Sequence, residues 1–272
     1  MSKFENKIDF AVIVTARNAN PNGDPLNGNR PRENYEGFGE ISDVCIKRKI
    51  RNRLQDAKQD IFVQSDERCL DGFQSLSDRA KGCEALNKAT KDKNKDEYAK
   101  IACERWIDVR SFGQVFAFKD NSVSVGVRGP VSIHPAVSVS PVDITSIQIT
   151  KSVNSETKDG KSSDTMGMKH RVDFGMYLIK GSINRQLADK TGFSEEDAEM
   201  IKKALISLFE NDSSSARPDG SMEVRKVYWW KHNSPTGQYS SAKVHRTLEI
   251  KLKNENEIPK SYEDYEITIN NM

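Results

Sequence analysis

The sequence has little of several features that mark large classes of protein. No apolar run approaches the roughly 18 residues of a membrane-spanning helix, and the N-terminal stretch MSKFENKIDF has no apolar signal-peptide core. We therefore expect a soluble, unexported protein of the cytoplasm. The 42 basic and 40 acidic residues leave a formal net charge of only +2, which excludes a general polycation. Any site for an anionic polymer must come from local clustering of cations.

The chain also lacks the motifs of common catalytic and metal sites. Its four cysteines (Cys45, Cys69, Cys83 and Cys103) form no CxxC pair, and its four histidines show no HExxH spacing. There is no GxxxxGK[ST] phosphate loop and no GxSxG nucleophile elbow. We expect the cysteines to be free core residues, and we expect no metal site, no cofactor and no enzymatic activity.

A dense group of cations lies between Val44 and Gln55, where the sequence contains no acidic residue. The cations are Lys47, Arg48, Lys49, Arg51 and Arg53. Cations this close repel one another, and a protein usually tolerates them when an anionic partner neutralises their charge. The commonest elongated anion in a cell is a nucleic-acid backbone, so the group predicts a nucleic-acid site. The alternative is a solvated helix face without a ligand.

Helical spacing decides which of these cations share a face. Ser42 is a suitable N-cap for a helix, and apolar residues then recur along one side. The apolar positions are Ile46, Ile50, Leu54 and Ala57. The cations predicted to lie together on another side are Lys47, Arg48 and Arg51. Such neighbours can reach the same or adjacent phosphates, whereas Lys49 and Arg53 face elsewhere and are left out.

Strand and helix patterns alternate along the chain. The first strand, from about Lys7 to Arg17, is nearly continuously apolar, as in strands covered on both faces. Residues 60–105 are charged and balanced in sign, which predicts a solvated helical insertion. Residues 140–175 have the pattern of a β-hairpin arm with a polar tip. Further strands are predicted at 112–118, 122–139, 173–181, 224–232, 245–252 and 265–269.

A second helix is predicted from Ser194, which forms a capping box with Asp197. Without the insertions, the order is strand, helix, strand, strand, helix, strand. This is the ferredoxin-like order of the RNA-recognition motif, an α+β fold. We therefore predict one interrupted domain over residues 1–272, without internal repeats.

Several motifs, which keep their order over roughly the first two thirds of the chain, resemble one known family. They are NPNGDP (Asn20–Pro25), NRPR (Asn29–Arg32), ISDVCIKRKIR (Ile41–Arg51), DVRSFGQVF (Asp108–Phe116), RGPV (Arg128–Val131) and MGMKHRVDFGMY (Met166–Tyr177). The sequence resembles the guide-RNA-binding backbone subunit of type I CRISPR effector (Cascade) complexes, most closely that of subtype I-C.

The resemblance implies a hand-shaped protein for antiviral defence. Its palm is a modified RNA-recognition motif, its fingers are the helical insertion at 60–105, and its thumb is the hairpin at 140–175. Several copies stack head to tail along one crRNA, each thumb splays one nucleotide, and the other bases pair with target DNA. The remaining implied partners are the large and cap subunits of Cascade and a nuclease-helicase recruited to the complex. No membrane partner is implied.

The resemblance and the residues together define a predicted RNA-binding site. The loop after strand one offers amides and arginines for ribose or phosphate, although asparagines also suit structural turns. A methionine late in the hairpin can wedge between bases while flanking cations hold phosphate, or it can pack beneath the hairpin. The predicted RNA-binding residues are Asn18, Asn20, Asn22, Arg30, Arg32, Ser42, Lys47, Arg48, Arg51, Met166, Met168, Lys169 and Arg171.

Two other functions remain open at this stage. One is a metal-dependent endoribonuclease like the backbone subunits of some type III effectors, with Asp24 or Asp164 as its acidic residue. The other is an RNA-recognition protein that works alone.

Trp229 and Trp230 are adjacent in a strand, so their rings point to opposite faces of the sheet. We favour burial in the core for both and leave them out of the site.

Overall fold

The structure is a computed structural model that describes residues 2–118, 124–150 and 166–271. The strands are β1 (Ile8–Ala19), β2 (Gly23–Asp24), β3 (Arg30–Pro31), β4 (Phe38–Ile41), β5 (Gly113–Phe116), β6 (Val125–Arg128), β7 (Val131–Ile133), β8 (Ala136–Pro141), β9 (Ile144–Thr150), β10 (Met166–Ile183), β11 (Met222–Lys231), β12 (Leu248–Leu252) and β13 (Tyr265–Ile269). The helices are α1 (Asp43–Asp56), α2 (Leu76–Lys81), α3 (Glu84–Lys91), α4 (Lys95–Arg105), α5 (Ile107–Phe112), α6 (Arg185–Thr191), α7 (Glu195–Ile206) and α8 (Ser241–Thr247). No helix among the described residues is long and apolar enough to cross a lipid bilayer.

A central antiparallel sheet organises this mixed α/β chain. Its strands lie in the order β11-β1-β10-β8-β4, and β7 and β9 also pair with β10. The longest pairing joins β1 to β10, from Ile8 opposite Ile183 to Ala19 opposite Val172. Separate two-stranded sheets are formed by β12 with β13, β2 with β3, and β5 with β6.

Both faces of β1 are covered, as its continuous apolar pattern predicts. Phe10 and Val12 pack in the main apolar cluster, which includes α1 and α7. Ala11 and Ile13 point to the other face, where β12 and β13 cover the sheet. The adjacent tryptophans of β11 divide in the same way. Trp229 stacks on Phe10 at a ring distance of 5.5 Å, and Trp230 packs in the opposite cluster.

The two predicted helix starts are confirmed. The Ser42 hydroxyl accepts a hydrogen bond from the amide of Cys45 and caps α1. Ser194 and Asp197 form the predicted capping box at the start of α7. Buried Asp197 also accepts two hydrogen bonds from Arg110 of α5, at 2.8 and 2.9 Å, which ties the two helices together.

Residues 60–105 contain α2, α3 and α4, and they have an apolar cluster of their own. Phe62, Tyr98 and Trp106 are buried in it, together with Phe116 of β5. The surface of these helices is charged. The balanced charge of the sequence therefore predicted a solvated insertion and did not predict this second apolar core. Their assignment as fingers stays a prediction.

Three helices were not predicted from the sequence, because each is too short to show helical periodicity. They are α5, α6 and α8. The strand predicted from His245 is wrong at its start, because residues 245–247 belong to α8 and β12 begins at Leu248. The strand predicted at 173–181 is part of β10, a single strand of 18 residues. The predicted tip of the hairpin, residues 151–165, lies outside the described residues.

Candidate nucleic-acid interface

The loop after β1 is fastened to the start of α1. The Asn22 Oδ1 atom accepts hydrogen bonds from the Ser42 amide at 2.9 Å and from the Ser42 hydroxyl at 2.8 Å. The same hydroxyl oxygen accepts from the Cys45 amide at 3.3 Å. These bonds use the polar atoms of two predicted RNA-binding residues within the protein. Asn22 and Ser42 therefore have a structural role, because they position the loop against the helix.

Asn20 and Asn18 occupy very different places. Asn20 is only 3% exposed, its Nδ2 atom donates to the Asn29 carbonyl at 2.6 Å, and its amide donates to the Ala216 carbonyl at 2.8 Å. Asn18 is exposed and has a left-handed φ of 51°, which asparagine tolerates better than most residues. It lines a separate cavity with Pro141 and Lys260. The structure thus does not bring these two asparagines together.

The two loop arginines make different links. The Arg30 Nη1 atom donates to the Ser146 hydroxyl of β9 at 3.0 Å, and that hydroxyl lies 2.8 Å from the His170 Nδ1 atom of β10. Arg32 donates to the Asp24 carboxylate at 3.4 Å, within the loop itself. Arg30 therefore joins the loop to the base of the hairpin. Ser146 was missed at the sequence level, because only folding places it beside a residue 116 positions away.

A cavity of about 300 Å³ opens where the loop meets the hairpin. Asn20 and Asn29 contribute the loop side, and Met168 and Lys169 contribute the hairpin side. A third side comes from residues 215–216, a segment after α7 that carries no recognisable sequence signal. Three predicted residues, Asn20 of the loop and Met168 and Lys169 of the hairpin, thus line one cavity despite lying far apart in the chain.

The hairpin carries its predicted side chains outward. Met166 is 64% exposed and Met168 is 54% exposed, and the alternation of β10 places them on one face. Neither methionine is buried beneath the hairpin, so the packing alternative fails for both. Lys169, the next residue, is also exposed, and Arg171 pairs with Asp173 at 3.3 Å.

The cations of α1 are neutralised internally more than their sequence context predicts. Lys47 pairs with Asp43 at 2.9 Å, and Arg51 pairs with the buried carboxylate of Asp108 at 2.9 Å. Arg48 is exposed, and no carboxylate among the described residues lies within ion-pair distance of it. The argument that this group requires an external anion is therefore wrong for most of its members, because their acidic partners come from outside the cation cluster.

Lys49 and Arg53 face away from the other cations, as predicted. Lys49 is buried against Asp212, and burial is the main cause that lowers the pKa of its ammonium group. Arg53 pairs with Asp56 at 2.7 Å and with Glu210 at 3.1 Å. Both side chains attach α1 to neighbouring segments and take no part in the candidate interface.

Of the acidic residues named for the endoribonuclease alternative, Asp24 lies among the described residues, and its partners there are an amide and an arginine. The Asp24 carboxylate accepts a hydrogen bond from the Leu26 amide at 3.2 Å and also accepts from Arg32. Among residues 2–118, 124–150 and 166–271, no three carboxylate, histidine or cysteine side chains are grouped as a metal site. Asp164 lies outside the described residues. The four cysteines are free, and Cys103 is buried while the other three are half-buried.

Comparison with known proteins gives concordant matches. The family model described as CRISPR-associated protein Cas7 matches residues 6–270. A protein of Haloferax volcanii named CRISPR-associated protein Cas7 is 25% identical over 229 residues, which cover 77% of this chain. The chain spans 66% of the length of that relative.

The fold is shared with a solved structure. A chain of a "CRISPR RNA-guided surveillance complex, pre-nicking" aligns with a TM-score of 0.53 and 18% identity, over 82% of this chain and 75% of that chain. A chain of a "CRISPR RNA-guided surveillance complex" aligns with a TM-score of 0.46 and 16% identity, over 78% of this chain and 66% of that chain.

Proposed function

Since this chain belongs to the Cas7 family of CRISPR-associated proteins, we propose that it is a backbone subunit of a Cascade complex of subtype I-C. In this role several copies bind one crRNA through its phosphates, regardless of base sequence, and present the guide to target DNA. The subunit is a scaffold without catalytic activity of its own. It works in the cytoplasm.

The topology supports a palm of the RNA-recognition-motif type. The central order β11-β1-β10-β8 is antiparallel, with α1 after β1 and α7 between β10 and β11. This arrangement matches the strand and helix order of the ferredoxin-like fold. Helices α2 to α4 then correspond to the fingers, and the hairpin of β9 and β10 corresponds to the thumb.

One observation carries the proposal: three separate segments are linked into one surface. The bonds between Asn22 and Ser42 join the loop to α1, and the bond from Arg30 to Ser146 joins the loop to the hairpin. Exposed Arg48 belongs to α1, and exposed Lys169 and Met168 belong to the hairpin. Cations beside exposed apolar side chains suit a single strand, which offers both phosphates and base faces.

The other partners follow from the same role. Further copies of this chain bind head to tail along the guide, and the large and cap subunits bind at the ends. Target DNA reaches the complex by pairing with the guide, and a nuclease-helicase is recruited afterwards. These partners all act on a ribonucleoprotein whose length is set by the crRNA.

The salt dependence of assembly tests the proposed surface. Replacing both Lys47 and Arg48 by alanine removes two cations from the interface. For a single strand, the slope of log affinity against log salt becomes shallower by about 0.7 for each phosphate that the protein no longer neutralises. The measurement is crRNA binding by the purified chain across a salt series.

The matched control replaces Arg246 and Lys253 by alanine, one arginine and one lysine that are also exposed. These residues lie in α8 and just after β12, on the side of the sheet away from α1. Their loss should leave the slope unchanged. An unaltered slope in the Lys47 and Arg48 variant, or an equal change in both variants, contradicts the assignment of α1.

A further inference from the structure

Among the described residues, β12 has one edge without a paired strand. It pairs with β13 alone, and two backbone bonds bracket that pairing: Asn270 to Thr247 at 2.8 Å and Lys253 to Asp264 at 2.9 Å. Hydrogen-bonded pairs alternate along an antiparallel ladder, so every second residue of β12 directs its N–H and C=O away from β13. The residues whose backbone N–H and C=O groups point away from β13 are Leu248, Ile250 and Leu252.

This edge borders a groove of about 470 Å³. Leu248 and Ile250 of β12 form one wall, and Val137 and Val139 of β8 form the other. Leu178 of β10 lies between them. Val137 is 43% exposed, although it belongs to a strand of the central sheet. The groove therefore combines an apolar lining with backbone groups that have no protein partner, which is the combination that an added strand uses.

The charges around the groove favour an acidic occupant. Lys180 lines the groove, and no carboxylate among the described residues lies within ion-pair distance of it. The carboxylate of Glu249 also lines the groove, but Lys251 neutralises it at 2.7 Å. The exposed imidazole of His134 adds no negative charge. The unmatched charge is thus positive, and it lies on β10 beside the apolar lining.

We propose that this groove binds an extended segment of a different polypeptide, which adds as a strand to the free edge of β12. The segment has apolar residues at every second position, which face the valines of β8, and a carboxylate that pairs with Lys180. The site lies on the face of the sheet opposite α1 and α7, so it is distinct from the proposed RNA surface. The full chain thereby holds RNA on one side and a protein partner on the other.

Synthetic peptides test the proposal on the full chain. The probe is acetyl-Asp-Val-Thr-Val-Thr-Val-amide, compared with two derivatives that carry N-methyl groups on the three valines or on the two threonines. Strand addition requires that one derivative loses binding, because its methyl groups face β12, and that the other keeps it. Hydrogen exchange should slow at the amides of Leu248, Ile250 and Leu252 when the parent peptide is added. The amides of Glu249 and Lys251 are already bonded to β13 and should change little.

A charge reversal tests the acidic end of the occupant. Lys180→Glu should weaken binding of the peptide by about tenfold, and a peptide with lysine in place of aspartate should recover that loss. Lys253→Glu is the matched control, since Lys253 is exposed beyond the end of β12. It should leave binding of the parent peptide within about twofold.

Three results overturn the proposal. The first is unchanged exchange at the three outward amides with saturating peptide. The second is equal binding by both N-methyl derivatives. The third is self-association of the chain through β12, seen by sedimentation without peptide and abolished by Lys180→Glu, which makes a second copy the occupant. Binding of crRNA by the same variants reports separately on the proposed function.

Discussion

At the scale of single residues, neighbours in sequence have opposite roles. Arg48 is exposed and has no ion-pair partner within the described part of the chain, whereas Arg51, less than one turn further along α1, pairs with buried Asp108. Asp108 also accepts hydrogen bonds from the amides of Phe62 and Val63, so this ion pair joins α1 to the segment that follows α1 in the chain. Arg51 additionally lies 5.1 Å from the ring centre of Phe112. A cation in this setting contributes to the stability of the fold.

We predict that Arg51→Ala lowers the free energy of unfolding by about 3 kcal/mol, because it leaves a buried carboxylate without its cation. Arg48→Ala should change stability by less than about 0.5 kcal/mol, since it removes an exposed side chain. Urea unfolding of both variants measures the difference. Equal stability of the two variants would show that the pair with Asp108 has no structural role.

At the scale of elements, one buried carboxylate joins two neighbouring strands. Asp9 of β1 lies 2.8 Å from the His232 Nε2 atom just after β11, and 3.1 Å from the Lys7 ammonium. Burial alone would raise the pKa of Asp9, but its polar contacts with Ser241, His232 and Lys7 outweigh it and lower the pKa.

The direction of this shift predicts a loss of stability in acid. The folded state favours the Asp9 carboxylate, so its contribution is fully present above the ordinary pKa of 3.8 and is lost as the pH falls through the lower folded pKa. Asp9→Asn removes this dependence and makes the protein less stable at neutral pH. The measurement is urea unfolding from pH 7 to pH 2. A variant with the same acid dependence as the parent chain contradicts the linkage.

The position of the hairpin is fixed by β10, which continues from the hairpin into the central sheet. Strand β10 runs without interruption from exposed Met166 to buried Ile183, so the arm and the centre of the sheet share one backbone. Its inner half pairs with β1 and its outer half pairs with β9. Motion of the arm relative to the sheet therefore requires bending a strand that is hydrogen-bonded on both halves. This explains how exposed methionines can be held at a defined distance from the loop.

At the scale of the whole molecule, the sheet separates two surfaces. Helices α1 and α7 cover one face, and β12, β13 and α8 cover the other. The classical open sheet of an RNA-recognition motif is therefore covered here, and the candidate RNA surface lies along the loop, the hairpin and α1. In the filament on RNA that we propose, the opposite side of the sheet stays accessible to other proteins.

The scaffold function predicts assembly in steps set by the guide. Purified chain mixed with guides of increasing length should give a ladder of complexes, with one more copy for each fixed increment of RNA. Native mass spectrometry counts the copies. A single copy on every guide would support an RNA-binding protein that works alone, and guides of scrambled sequence should give the same ladder because phosphates dominate binding.

The absence of catalysis is a separate prediction. Assembled complexes incubated with Mg²⁺ and RNA complementary to the guide should leave that RNA intact on a denaturing gel. Regularly spaced cuts would instead favour the endoribonuclease alternative. Asp24→Asn would then identify the acidic residue if it stopped cleavage while the filament still formed.

Local sequence patterns predicted the parts of this fold that depend on near neighbours. The caps at Ser42 and Ser194 are confirmed because capping uses residues within one helical turn. The buried strand β1 is confirmed because its composition alone reports burial on both faces. Short helices such as α8 were missed, since seven residues show too little periodicity to exceed a strand pattern.

By itself, the sequence determined the alternation of elements, the two well-capped helices and the family, because each rests on residues close together in the chain or on ordered motifs. Only the tertiary structure decided which cations remain free. Arg51 pairs with Asp108 and Lys49 pairs with Asp212, both far along the chain. Arg30 donates a hydrogen bond to Ser146 on the hairpin. Ion pairs depend on distance in space, and folding alone brings such residues within reach.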